Sequence, residues 1–123
     1  MIKMTDLHWA AGFLDGEGCF HLTKNGLNPH IHATQKDTWA LEKLQKLFGG
    51  QIYSFKNRGL SDRTMFVWML TSRRSIGLML TLYSLVSPYR RGQIEHCVRR
   101  WKDVPFQRHM SPEKLQEKFN GQR

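Results

Sequence analysis

A chain of 123 residues, 40% of them hydrophobic, is long enough to bury a core and is expected to form one domain over 1–123. No apolar run approaches the roughly 18 residues that span a bilayer, and the opening MIKMTDLHW has no apolar signal segment, so neither a membrane span nor secretion is expected. Nineteen Lys and Arg against 10 Asp and Glu give a net charge of +9, which favours a polyanion, nucleic acid above all, over a small-molecule substrate; a membrane surface is the weaker alternative to nucleic acid, because the basic residues are spread over several elements.

Cys19 and Cys97 are far apart and lack CxxC spacing, which argues against a disulfide framework and against a zinc finger; both are read as reduced, packed thiols.

In chain order the first element is Leu7 to Phe20, LHWAAGFLDGEGCF. A helix is expected from near Asp6, capped by Thr5 or Asp6. Gly12 and Gly16 lie four apart on one helix face. A helical glycine costs about 1 kcal/mol relative to alanine, and close approach of a second backbone is the usual compensation. The expected contact surface is Leu7, His8, Ala11, Gly12, Asp15 and Gly16. Gly16 and Gly18 should end the helix and leave Glu17 at its foot. Carboxylates brought together from two such helix ends suit a divalent cation with hard oxygen ligands, supplied by Glu17, by Asp15 and by the backbone oxygen of Gly16. The plainer alternative is a capped helix end whose acids are merely solvated.

WAAGFLDGEGCF resembles the LAGLIDADG motif of the homing endonucleases, whose variants read close to xxAGFxDGEGxF, and it matches at Ala11, Gly12, Phe13, Asp15, Gly16, Glu17, Gly18 and Phe20. The resemblance implies that motif helices of two halves pack through their small residues. It also implies that Glu17 binds the metal that cleaves DNA and that Asp15 is mainly structural. Mg²⁺ is the implied ion, with Mn²⁺ or Ca²⁺ able to substitute for binding.

Cys19 to Lys24 and His30 to Gln35 alternate in character around the turn Asn25 to Pro29, and are expected to form a hairpin. Phe20, Leu22, Ile31 and Ala33 fall on the buried face. His21, Thr23, His30, His32 and Thr34 fall on the open one, with Lys24, Asn25 and Lys36 nearby as further DNA contacts. The His30-x-His32 pair also has the spacing of a zinc site, but no third ligand stands at suitable spacing, and a plain solvated face is the third reading.

Trp39, Leu41, Leu44, Leu47 and Phe48 then recur at helical spacing after a cap at Asp37, and Gly49-Gly50 stops the helix. Ala33-Thr34-Gln35-Lys36 resembles the family's VTQK-type segment, which implies that Gln35 lies beside the catalytic carboxylate; alternatively Gln35 simply ends a strand. Intron-encoded members carry an arginine in the first turn after that glutamine, where this chain has Thr38 and Trp39.

A second hairpin is expected over Gln51 to Lys56 and Thr64 to Thr71. Tyr53, Phe55, Phe66, Trp68 and Leu70 are assigned to its core face, and Ser54, Lys56, Arg58, Val67 and Met69 to the DNA side. A helix from Ser72 or Ser75 to Ser87-Pro88 follows, then one from Tyr89 to about Lys102. The resemblance implies a basic residue at the start of that last helix near the scissile phosphates, Arg90 first and Arg91 second, against the alternative of a solvated basic helix end. Residues 105–123 form a peripheral tail with a short helix after Ser111-Pro112.

The expected fold is α+β with order αββαββα(α), in which helices cover one face of an antiparallel sheet that the family curves into a saddle. One motif per chain implies a homodimer acting as an endonuclease on double-stranded DNA with pseudo-palindromic halves; the alternative is a non-cleaving nucleic-acid binder, an intron maturase or a DNA-binding regulator, that kept the fold. The expected setting is intracellular, a bacterial or phage cytoplasm or an organelle.

Overall fold

The structure is a computed structural model and describes residues 2–23, 28–58 and 62–103. Its elements are α1 (Met4–Glu17), β1 (Gly18–Leu22), β2 (Pro29–Gln35), α2 (Trp39–Phe48), β3 (Gln51–Arg58), β4 (Asp62–Thr71), α3 (Ser72–Leu82), a 3₁₀ turn (Tyr83–Leu85) and α4 (Pro88–Asp103). The four strands form one antiparallel sheet in the order β1-β2-β4-β3. The α+β class and the element order match the expectation. The expected tail helix and the Lys24-Asn25 turn lie outside the described residues. Among the described residues no helix is long and apolar enough to cross a membrane.

Helix α1 begins at Met4, earlier than expected, and runs without a break through Gly12 and Gly16 into Glu17. Gly18 then turns directly into β1. A Cβ there would stand 2.7 Å from Leu14 Cδ2 and 2.8 Å from the Leu14 carbonyl oxygen, so only glycine lets helix and strand meet this closely.

The core lies between the helices and one face of the sheet. Ala10, Ala11 and Leu14 of α1 meet Phe20, Ile31, Ala33, Trp68 and Leu70 of the strands, Leu41 and Leu44 of α2, and Met79, Leu82, Ile94 and Cys97 of the last helices. Burial of this kind contributes about 25 cal/mol per Å² of apolar surface. Trp68 is the largest fully buried side chain. Its indole Nε1 donates to the Gly49 carbonyl at 2.8 Å, so the ring's polar edge is satisfied where α2 hands over to β3. Gly49 and Gly50 both have positive φ, 82° and 94°, which a side chain would strain. The cap of α2 is Thr38 rather than Asp37, without a side-chain capping bond.

Two core assignments are corrected. Trp39 is 68% exposed; it precedes Leu41 by two residues and so points roughly 200° away from it around the helix, to meet Trp9 edge-on at 6.1 Å. Tyr53 and Phe55 are also exposed, at 53% and 43%. In the register Ile52 stands opposite Trp68 and Tyr53 opposite Val67, so Ile52, Ser54 and Lys56 share the helix side of the sheet while Tyr53 and Phe55 share the open side with Val67 and Met69. A one-residue difference in parity exchanged every side chain of that strand.

Candidate active site

The C-terminal end of α1, the last residues of β2 and the first turn of α4 converge. Glu17 is the last residue of the helix, exposed, and its Oε2 accepts a hydrogen bond from Gln35 Nε2 at 3.1 Å. The strand-end glutamine and the motif carboxylate, 18 positions apart, are therefore partners.

Asp15 faces the other way. Its Oδ1 accepts from the Ser87 backbone N–H at 3.0 Å and from the Ser87 hydroxyl at 2.6 Å. Ser87 precedes Pro88, the first residue of α4, and its Oγ accepts the Arg90 N–H at 3.4 Å, as a helix-capping serine does. The two bonds from Ser87 hold the Asp15 carboxyl below the usual carboxylate range, with partial desolvation opposing them and the Arg90 charge adding a smaller effect in the same direction. Arg90 Nε donates to the Asp15 carbonyl oxygen at 2.9 Å, and its Nη1 to Gln93 Oε1 at 3.0 Å. A cation on the last carbonyls of α1 suits that helix's dipole. Asp15, Ser87 and Arg90 thus lock the carboxylate end of α1 onto α4, with Asp15 Oδ1 committed to Ser87. Arg91 is half-exposed, with its Nε buried and without a hydrogen-bond partner.

For metal chemistry, each chain offers here one exposed carboxylate, Glu17, beside the exposed Gly16. Oxygen donors of this kind fit Mg²⁺ or Ca²⁺. One carboxylate makes a sparse ligand set, which a second copy of the helix end would double.

The outer face of α1 carries Met4, His8, Gly12 and Gly16, all exposed and spaced by four. A Cβ at Gly12 or Gly16 would have nothing within 4 Å. Leu7 is half-buried, and Ala11, expected on this face, is instead 1% exposed. It lies in the chain's own core beside Ala10 and Leu14, so it cannot meet a partner.

The open face of the sheet falls into two halves. On β1 and β2 it carries Cys19, His21, His30, His32 and Thr34. The His21 ring lies 3.7 Å from that of His30 and 4.8 Å from that of His32, centroid to centroid. On β3 and β4 the register aligns Gln51, Tyr53 and Phe55 with Met65, Val67 and Met69, and places Arg63 on the same side. Ser54 and Lys56, expected here, lie on the helix side, where they are exposed beyond the helices' reach. The side chains of Arg58, Lys24 and Asn25 lie outside the described residues. Thr23 Oγ1 accepts the Asn28 N–H at 3.3 Å and closes the hairpin, and Lys36 is exposed just past β2. Sequence reasoning missed Cys19, Tyr53, Phe55 and Arg63 on this face because the parity of β3 and the exposure of β1 depend on register.

Burial lowers the basicity of all three imidazoles; His30, flanked by His21 and His32, is pushed down to about 4 from its ordinary 6.5. Between these values the unfolded chain binds a proton at His30 that the folded one does not. Stability is therefore full above about pH 6.5 and falls as pH drops toward 4. Acid titration of the unfolding midpoint should show this loss, and His30→Gln should flatten it.

The family profile described as LAGLIDADG endonuclease matches residues 10–91, from α1 through the start of α4. The chain belongs to the LAGLIDADG endonuclease family. Its fold is that of solved homing endonucleases. Against I-CvuI, seen with the I-CreI target in the presence of Mg, the TM-score is 0.65 at 21% identity, covering 93% of this chain and 75% of that one. Against the archaeal intron-encoded I-Vdi141I complexed with DNA it is 0.55 at 13% identity, covering 88% and 87%. Against I-SmaMI bound to cleaved DNA it is 0.56 at 20% identity, covering 94% of this chain and 42% of the other. No curated protein sequence matches it. Within the LAGLIDADG motif, then, the small residues that face outward are Gly12 and Gly16, and the acid that faces outward is Glu17.

Proposed function

We propose that this chain is a site-specific, divalent-metal-dependent DNA endonuclease acting as a homodimer on a long target with pseudo-palindromic halves, as an agent of intron homing. The observation that carries the reading is the exposed Glu17 carboxylate, aimed by Gln35, at the end of a helix whose outer face is notched by Gly12 and Gly16. Two such helices packed along the notches bring two Glu17 side chains to one axis. The paired Glu17 carboxylates would hold a hard ion such as Mg²⁺, whose chemistry there would be activation of water and stabilisation of the leaving oxygen. The chain's own residues prepare for this. Gln35 fixes the Glu17 rotamer, and the Asp15–Ser87–Arg90 lock fixes the helix end from which it projects. Arg90 is thus a positioning residue, and Arg91, half-exposed in the same turn, is the remaining candidate for a phosphate contact.

The open face lies along the major groove in this reading. Arg63 and Lys36 supply cationic contacts, Thr34 hydrogen bonds, and Tyr53, Phe55 and Val67 apolar contact of the kind that reads thymine methyl groups. The neighbours' complexes with DNA and the net charge of +9 support that partner. The setting is the interior of a cell or organelle. The test is cleavage of a random duplex library in Mg²⁺ followed by sequencing of the cut ends. One enriched long site with related halves is the expected result; retention of DNA without any cut product is the result that sinks the enzymatic reading.

A further inference from the structure

The imidazole group on the open face has a feature that DNA contact does not explain. Cys19 and His21 alternate along β1, and His32 on β2 stands directly opposite Cys19. Cys19 Sγ and His21 Nδ1 are 3.5 Å apart. One ligand atom from each of Cys19, His21 and His32 can be chosen so that all lie within 4.8 Å of one another. His32 Nδ1 is buried with no hydrogen-bond partner. A buried polar nitrogen left alone is destabilising, and such an atom calls for a partner.

Tetrahedral zinc takes sulfur at about 2.3 Å and nitrogen at about 2.0–2.1 Å, which sets its ligand atoms roughly 3.3–3.6 Å from one another. The Cys19–His21 separation, 3.5 Å, already has that value, and His32 offers a ring nitrogen within 4.8 Å of both partners. The donor set of one thiol and two imidazoles is soft to borderline, unlike the oxygen donor at Glu17, and selects zinc-class ions over Mg²⁺. An imidazole binds such an ion through the lone pair of an unprotonated ring nitrogen, and the thiol gives its proton to solvent when the metal–sulfur bond forms.

We propose that Cys19, His21 and His32 form a binding site for a zinc-class transition-metal ion on the open face of the sheet, distinct from the carboxylate end of α1. His30, packed on His21 at 3.7 Å, holds that ring in place, and the fourth coordination position is left to solvent. The site stands whether or not the chain cleaves DNA, because it is read on the protein alone.

The experiment uses the full chain, stripped with a chelator and titrated with Co²⁺ as a spectroscopic stand-in for zinc. One equivalent per chain should raise a thiolate-to-cobalt charge-transfer band and intense visible bands of tetrahedral cobalt, and Zn²⁺ should erase both. Cys19→Ser should remove the charge-transfer band. His32→Gln should weaken binding about tenfold or more, the scale of lost ligand support. Glu17→Gln should change neither. As a readout that needs no variant, Zn²⁺ should slow alkylation of Cys19 in the native protein, with the buried Cys97, whose thiol is pushed up to about 11, as the internal reference. Absence of the charge-transfer band together with unaltered Cys19 alkylation overturns the proposal, as does cobalt binding that survives Cys19→Ser and His32→Gln or that vanishes with Glu17→Gln.

Discussion

Glu17→Gln is expected to lower strand cleavage by about 10²- to 10³-fold, the loss seen when a group that stabilises transition-state charge is removed, while DNA affinity stays level or rises. Glutamine has the same shape and keeps an oxygen that Gln35 Nε2 can reach, so the end of α1 is undisturbed. What it lacks is the negative charge that holds a hard cation. Removing that charge beside phosphates also relieves repulsion, which is why binding should not fall. Gln35→Ala removes the aim of the carboxylate and not the charge; a drop of about tenfold in cleavage, equivalent to about 1.4 kcal/mol, is the expected effect. The measurement is single-turnover cleavage in Mg²⁺ beside a filter-binding or anisotropy titration in Ca²⁺. Wild type and Glu17→Gln that bind alike and both fail to nick would instead mark a DNA binder that has kept the fold without the reaction.

The parts of this molecule legible in the sequence are those set by local pattern. The alternation of β1 and β2 placed Phe20, Ile31 and Ala33 inward and His21, His30 and His32 outward, as the structure has them. The apolar run of α3 read as a buried helix, and Ile76, Met79 and Leu82 are buried. Features set by distant partners were harder to read. In β3, aromatic content suggested an inward Tyr53 and Phe55, but parity is decided by the Gly49-Gly50 turn and by pairing with β4, and these put Ile52 under Trp68 instead. In α1 the motif's small residues looked equivalent, yet Ala11 belongs to the core and Gly12 to the surface, a distinction made by which side of the helix the sheet occupies. The bond from Ser87 to Asp15 joins residues 72 apart, and the cysteine and histidine grouped with His32 stand on the opposite strand; neither is visible in any local window.

The outward position of Gly12 leads to the second large effect. With no heavy atom within 4 Å of a Cβ at this position, Gly12→Leu meets no clash within its own chain. It also replaces a poor helix former by a good one, so the isolated chain should gain up to about 1 kcal/mol of stability. If two α1 helices touch along the Met4–His8–Gly12–Gly16 stripe, the same leucine pushes their backbones apart. Overpacking of a close contact costs about 1–3 kcal/mol, which is roughly a 5- to 150-fold weaker dimer. Because each chain supplies a single Glu17 at the helix end, double-strand cleavage should fall with the dimer and not with the fold. Sedimentation equilibrium with and without duplex target, set beside thermal unfolding of both proteins, separates the two quantities. A variant that is as stable or more so, lighter in mass and inactive is the expected outcome. A variant that keeps the wild-type mass and activity would show that this face of α1 does not carry the association, and that the two carboxylates must be brought together by some other surface.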